Sequence, residues 1–155
     1  MPTLQQTDET FLTNAPTRFS ETFLIPKPAA AVWEELTSDK PLDWCRALSI
    51  RWTSPRPLGI GATRTAKILG ALTANERFFI WEDGRRKAFC ITDANLPVFS
   101  RLAEDFLVEP LGPDRSSFTW TIAMEPKGLG KAGAPANKLL VASLFKDTRR
   151  HFDAS

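Results

Sequence analysis

The stretch ANKLLVASLFKDTRRHF, residues 136–152, decides the reading of this chain. It follows Gly133-Ala134-Pro135, and Pro135 suits a first helical turn, where no amide donor is needed. On a 3.6-residue wheel Leu140, Val141, Leu144, Phe145, Thr148, His151 and Phe152 share one face. Lys138, Ala142, Lys146, Arg149 and Arg150 take the other, and Leu139 is the one apolar residue among them. A long amphipathic helix of this kind must bury its stripe against an apolar surface. The chain before residue 125 is rich in strands able to supply one, so the expectation is a sheet curled around one C-terminal helix with space between them.

Working back from the helix, the strand signals are regular. Arg18 to Ile25 alternates, with Phe19, Glu21, Phe23 and Ile25 on one face. Pro26 and Pro28 stop it, and Ala29 to Thr37 reads as a short helix with Val32, Trp33 and Leu36 inward. A second short helix is expected after Ser38-Asp39, with Leu42, Cys45 and Leu48 inward. Strands then follow at Ile50–Thr53, Ala62–Leu69, Asn75–Glu82, Lys87–Thr92, Arg101–Glu109 and Ser117–Glu125. Asp83-Gly84 is a strong hairpin turn signal. Short links between successive strands point to an antiparallel sheet in an α+β fold, spanning residues 18–155 as one domain behind a flexible segment, residues 1–17.

Bulk properties exclude several functions. A net charge of +2 across 155 residues leaves no footprint for nucleic acid. The longest basic run, Arg85-Arg86-Lys87, sits just after a turn and reads as a solvated hairpin. No apolar run approaches the roughly 20 residues of a membrane span, and the polar N-terminus lacks a signal-peptide profile, so a cytoplasmic protein is expected. Cys45 and Cys90 lie in different elements without zinc or redox spacing and read as buried thiols. With one histidine, no metal site and no cofactor are expected.

Four stretches carry a family resemblance. Ile25-Pro26-Lys27-Pro28-Ala29-Ala30-Ala31-Val32-Trp33 joins strand to helix, and Gly59-Ile60-Gly61-Ala62-Thr63-Arg64 leads into a central strand. Glu76-Arg77-Phe78-Phe79-Ile80-Trp81 and Phe118-Thr119-Trp120-Thr121 are the other two. In this order the chain resembles the START/Bet v 1-like (SRPBCC) superfamily, and within it the bacterial polyketide cyclase/dehydrase and lipid transport-like branch. The resemblance implies the helix-grip fold, a curved seven-stranded antiparallel sheet around the C-terminal helix. It also implies a cavity for hydrophobic small molecules such as lipids or polyketides, and in ligand-binding relatives the glutamate equivalent to Glu76 faces that cavity.

The inward faces set by alternation supply the expected ligand-binding residues: Phe78, Ile80, Phe89, Ile91, Leu102 and Trp120 from strands, with Leu144 and Thr148 from the helix. Glu76 and Glu104 fall on the same faces. A carboxylate in an apolar cavity is costly unless paired, hydrated or protonated, so both are candidates for anchoring a polar head or for acid–base catalysis. The competing expectation pairs them with Arg64 or Lys67 near the sheet rim. His151, at the end of the helix, reads as a cap for its C-terminus. Gly128-Leu129-Gly130-Lys131-Ala132-Gly133 matches a dinucleotide fingerprint, but no strand follows its helix, so it reads as a loop at the cavity mouth.

Polyketide cyclases of the superfamily generally place hydroxyl, His or Arg groups in the cavity, and this sequence has no tyrosine. The leading expectation is therefore a binder or carrier of a mainly hydrophobic molecule, monomeric or homodimeric. The alternatives are a cyclase or dehydratase using Glu76 or Glu104, and a closed module acting on protein partners.

Overall fold

The computed structural model describes residues 1–154, and of residues 129 and 130 the backbone only. Ser155, the last residue of the expected domain, lies outside the described residues. The elements run α1 (Glu9–Asn14), β1 (Thr17–Ile25), α2 (Ala29–Leu36), β2 (Leu48–Trp52), β3 (Thr63–Ile68), β4 (Leu72–Glu82) and β5 (Arg86–Ala94). They continue with β6 (Phe99–Pro110), β7 (Ser116–Pro126), α3 (Leu129–Ala132) and α4 (Ala134–Asp153). The seven strands form one sheet in the order β1-β7-β6-β5-β4-β3-β2, antiparallel at each junction. Successive strands pair as a meander, and β1 closes onto β7. This is the helix-grip fold that the resemblance implies.

The long helix behaves as its periodicity predicts. Val141, Leu144, Phe145, Thr148 and Phe152 are buried, while Leu139 is 73% exposed. Phe145 packs edge-on against Phe23 of β1 and Trp120 of β7, and Phe152 against Phe118 and Trp44. α2 lies on the same face of the sheet, contributing Val32 and Leu36 to the same core.

Three local features depart from the sequence reading. The second short helix after β1 is instead a run of turns through residues 38–47. Pro41 has no amide to donate, and Leu42 takes a left-handed φ of 59°, which an α-helix cannot continue. This segment is held to α4 through side chains: Trp44 Nε1 donates to Thr148 Oγ1 at 3.1 Å, and buried Asp147 accepts from Arg46 N at 3.0 Å and Arg46 Nη2 at 3.1 Å. In β4 the register shifts between Phe78 and Ile80. A bulge there reverses the alternation, sending Trp81 inward and Ile80 to the opposite face.

The third departure is the N-terminal segment, expected to be loose. Leu4 is buried in the main core, its amide donating to Thr92 O at 2.9 Å. α1 begins with Asp8 as its cap, accepting from Phe11 N at 3.2 Å, and lays Phe11 and Leu12 on the outer face of the sheet. The landing site is a patch of small residues, Ala88, Cys90, Ala103 and Ala123, drawn from β5, β6 and β7. Small side chains on three neighbouring strands let a short helix approach closely.

Asp147 gives a direct test of how the turn segment is held. Asp147→Ala leaves the Arg46 amide without its acceptor at the junction of turn and helix and is expected to cost about 1–3 kcal/mol. Arg46→Ala removes only a solvent-facing partner and is expected to cost under about 1 kcal/mol. Urea unfolding of the two variants checks this order.

Candidate functional site

Between the sheet and α4 lies a cavity of about 280 Å³, near the lower end of the roughly 300–1,000 Å³ typical of small-molecule sites. Its walls come from the inward faces of β2 to β7 and from α4. Ile50, Ala66, Ile91, Leu102, Ile122 and Met124 line the sheet side; Leu140, Val141 and Leu144 line the helix side. Leu69 and Leu96 lie at its edge, and both are exposed. Gly133, from the glycine-rich stretch expected as a mouth loop, also lines it, and that stretch forms the short α3.

Seven of the ten expected ligand-binding residues border this cavity: Glu76, Phe89, Ile91, Leu102, Glu104, Trp120 and Leu144. The other three do not. Phe78 is fully buried beside the site, packed against Trp52, Trp81 and Phe89. Ile80 is turned to the α1 face by the β4 bulge. Thr148 is consumed in the helix-to-turn junction, where its hydroxyl donates to Leu144 O at 2.8 Å and accepts from Trp44. His151 also lies away from the cavity: its ring stacks on Trp44 with centroids 4.1 Å apart, and Nε2 sits 2.7 Å from Glu35 Oε1. It ties α4 to α2 besides lying in the last turn of its helix.

One end of the cavity is ionisable. Glu76 on β4 and Arg64 on β3 are register partners, and Arg64 Nε donates to Glu76 Oε1 at 2.6 Å with both side chains buried. Glu104 on β6 accepts from Trp120 Nε1 at 2.8 Å. Lys87 on β5, only 1% exposed, completes the group from behind. The Arg85-Arg86-Lys87 run is thus no solvated hairpin throughout. Arg86 turns out to Asp105 and Glu9, while Lys87 turns in. Counting back by two from Phe89 and Ile91 puts Lys87 on the inward face, so the signal was present in the sequence.

Aromatic rings enclose the two cations. The Arg64 guanidinium lies 4.8 Å from the Phe89 centroid, 5.0 Å from Phe78 and 5.3 Å from Trp52. Lys87 Nζ lies 4.5 Å from Phe106 and 5.1 Å from Phe78. These contacts are favourable but smaller than the cost of removing a charge from water. Burial accordingly moves the titrations of Glu76, Lys87 and Glu104 towards the neutral form. It raises Glu76 above the usual carboxylate range against the pull of Arg64, and it drives Lys87 well below the usual lysine value, helped by Arg64. Glu104 is pushed up to about 8, by burial first and then by the Glu76 charge. At neutral pH Glu104 is a protonated carboxyl on the cavity wall, able to donate a proton.

The sign of the resulting pH dependence follows from linkage. An acid raised from 4.5 to about 8 holds an extra proton in the folded state, so its contribution to stability falls as pH climbs through that interval and then stays constant. Lys87 works in the opposite sense, because the folded chain has shed a proton that the unfolded chain keeps up to about 10.5. Glu104→Gln isolates the first effect while keeping an acceptor for Trp120. The variant is expected to melt close to wild type at pH 5 and at least about 3 °C higher at pH 8.5, roughly 1 kcal/mol for a chain of this size. Scanning calorimetry at both pH values checks it.

Among the described residues there is no group of three or more His, Cys, Asp or Glu side chains able to hold a metal ion. No helix among them is long and apolar enough to cross a membrane. Cys45 and Cys90 are buried free thiols, and burial pushes Cys45 up to about 12.

Comparison with known proteins places this architecture. An uncharacterized protein of Mycobacterium bovis is 29% identical over 116 residues, covering 72% of this chain and 69% of its own. A START superfamily protein from Mycobacterium smegmatis superposes with a TM-score of 0.67 at 10% identity, covering 88% of this chain and 97% of its own. The Zhui aromatase/cyclase from Streptomyces sp. R1128 superposes with a TM-score of 0.65 at 16% identity, covering 89% and 90%. At those identities the two structures speak for the fold alone. The model of the family "Polyketide cyclase / dehydrase and lipid transport" matches residues 16–152, nearly the whole of the folded chain, and the protein belongs to that family.

Proposed function

We propose that this protein binds or carries a mainly hydrophobic small molecule, of lipid, polyketide or aromatic type, in the cavity between the sheet and α4. The observation that carries this reading is the composition of the wall. Aliphatic and aromatic side chains from six strands and one helix enclose the space, and the ionisable groups gather at one end. An apolar body with a single polar end suits such a site, since apolar surface drives entry and a few polar groups set orientation. Family membership supports binding of hydrophobic ligands in general terms and does not name the ligand.

A second reading is favoured by one specific observation, the carboxyl of Glu104 on the cavity wall, which burial pushes up to about 8. An acid titrating near 8 is poised for proton transfer at physiological pH, as a cyclase or dehydratase requires. The two readings separate on Glu104→Gln: a binder keeps its affinity, whereas an enzyme keeps binding and loses turnover.

The binding reading is tested by native mass spectrometry of the purified protein, followed by extraction and identification of any bound compound. In parallel, titration with the uncharged dye N-phenyl-naphthylamine is expected to show saturable fluorescence enhancement. Ala66→Phe projects new volume into the cavity, and it is expected to weaken dye binding at least about tenfold, roughly 1.4 kcal/mol, with an unchanged circular dichroism spectrum. Equal dye binding by wild type and Ala66→Phe would remove the cavity from consideration.

A further inference from the structure

We infer that the mouth of the cavity is a docking surface for an anionic lipid bilayer, with Leu69 and Leu96 as the apolar tips that enter it. The inference goes beyond the binding of an apolar molecule, and its test needs no ligand.

The argument begins with apolar side chains that packing does not explain. Leu69 and Leu96 border the cavity, yet they are 70% and 42% exposed. Leu69 is also a poor choice for its backbone. It sits at the tip of the β3–β4 hairpin, in a turn closed by Ala71 N donating to Ile68 O at 3.1 Å. The φ angles are 54° at Leu69 and 69° at Gly70. Two successive positive φ values favour Asn, Asp or Gly, and a leucine there gives up backbone stability without gaining burial. An apolar surface outside the chain recovers the lost contact.

Hydrogen bonds join this tip to the rest of the rim. Asn95 Nδ2 donates to Ala71 O at 2.9 Å and Asn95 N to Thr73 O at 3.0 Å, which pins the Leu96 loop against the hairpin. Lys127 N donates to Val98 O at 3.0 Å, linking that loop to the end of β7. The chain then passes through α3 into the first turns of α4, where Ala136 and Leu140 line the cavity and Leu139 stays exposed.

The charge of this rim selects the partner. Its three segments, residues 66–75, 94–103 and 126–146, contain none of the chain's 18 acidic residues. They carry Lys67, Lys127, Lys131 and Lys138, all exposed. The acids that flank them are engaged: Glu76 with Arg64, Asp93 with Thr92, Glu125 with Arg101 and Asp147 with Arg46. Separate apolar tips among lysines suit a fluid interface, where acyl chains take up the leucines and anionic headgroups attract the ammonium groups. A folded protein partner would need a contiguous face of matching shape. A nucleic acid would gain nothing from the leucines.

The test is flotation of the purified protein with vesicles of phosphatidylcholine alone, or of phosphatidylcholine with about one-third phosphatidylglycerol. Wild type is expected to bind the anionic vesicles at least about tenfold more tightly than the neutral ones, and less tightly as salt rises. Leu69→Asn/Leu96→Ser is expected to lower that affinity at least about tenfold. Lys127→Gln/Lys131→Gln/Lys138→Gln is expected to erase the preference for anionic vesicles. Leu111→Ser, at an exposed leucine beyond the far end of β6, is expected to bind as wild type does. No flotation overturns the inference, and so does equal flotation of Leu69→Asn/Leu96→Ser, which marks adhesion by charge alone. Should that variant not fold, a bimane label decides: on Leu96→Cys its emission must shift to the blue with anionic vesicles, and on Leu111→Cys it must not. Failure of wild type to bind the neutral dye overturns the cavity reading alone, and failure to float overturns the docking surface alone.

Discussion

Four ionisable side chains removed from water together set the terms for the rest of this structure. Isolated, any one of them would cost several kcal/mol to bury. Grouped, they share the penalty: Arg64 and Glu76 pair directly, Glu104 yields its charge, and Lys87 is pressed to do the same. The arrangement works because adjacent strands bring the groups into register. Arg64 stands opposite Glu76 across β3 and β4, and Phe89 of β5 stands opposite Glu104 of β6. A slip of one residue in any of these pairings would turn its members to the other face, so the register and the charge cluster specify one another.

The amphipathic helix and the alternating strands were legible because both periodicities are long and clean. The apolar stripe of α4 and the inward face Phe118-Trp120-Ile122-Met124 of β7 needed no tertiary information. The same alternation brought Glu76 and Glu104 to the cavity, with Arg64 already in view as a partner for a glutamate. The failures have local causes. Ile80 was misplaced because a bulge is a backbone event that residue type does not announce. Lys87 was hidden by its basic neighbours, since a run of like charges after a turn reads as solvated even when its period points one member inward. Phe78 and Thr148 were assigned to the correct side of the sheet and helix, but whether an inward residue meets empty space or another side chain depends on packing that no single strand encodes.

The outer face of the sheet shows a second division of labour. β5 is inward-facing at Lys87, Phe89 and Ile91 and outward-facing at Ala88 and Cys90, where α1 docks. A central strand covered on both sides loses its solvent contacts, and this is why its middle, Ala88-Phe89-Cys90-Ile91, is apolar without alternation. The N-terminal segment thereby backs the same strand that carries Lys87. Polar composition alone cannot reveal such a role, because α1 contributes only two large apolar residues, Phe11 and Leu12, to a patch built from the smallest side chains of three other strands.

The interior is also uneven along the length of α4. Towards the C-terminal end of the helix, Phe106, Phe118, Trp120 and Phe152 fill the space ring against ring. Towards its N-terminal end, Ala66, Ile91, Leu102 and Met124 face a void. The filled half stands or falls on close packing, where loss of one ring costs about 3–5 kcal/mol. The hollow half already lacks part of that packing, and positions such as Ala66 and Ala71 can grow without crowding their neighbours. Mutational tolerance is therefore distributed by geometry. Lineages carrying this fold are free to reshape the hollow end while the aromatic end keeps the chain folded, so descendants can diverge in what they hold long before they diverge in shape.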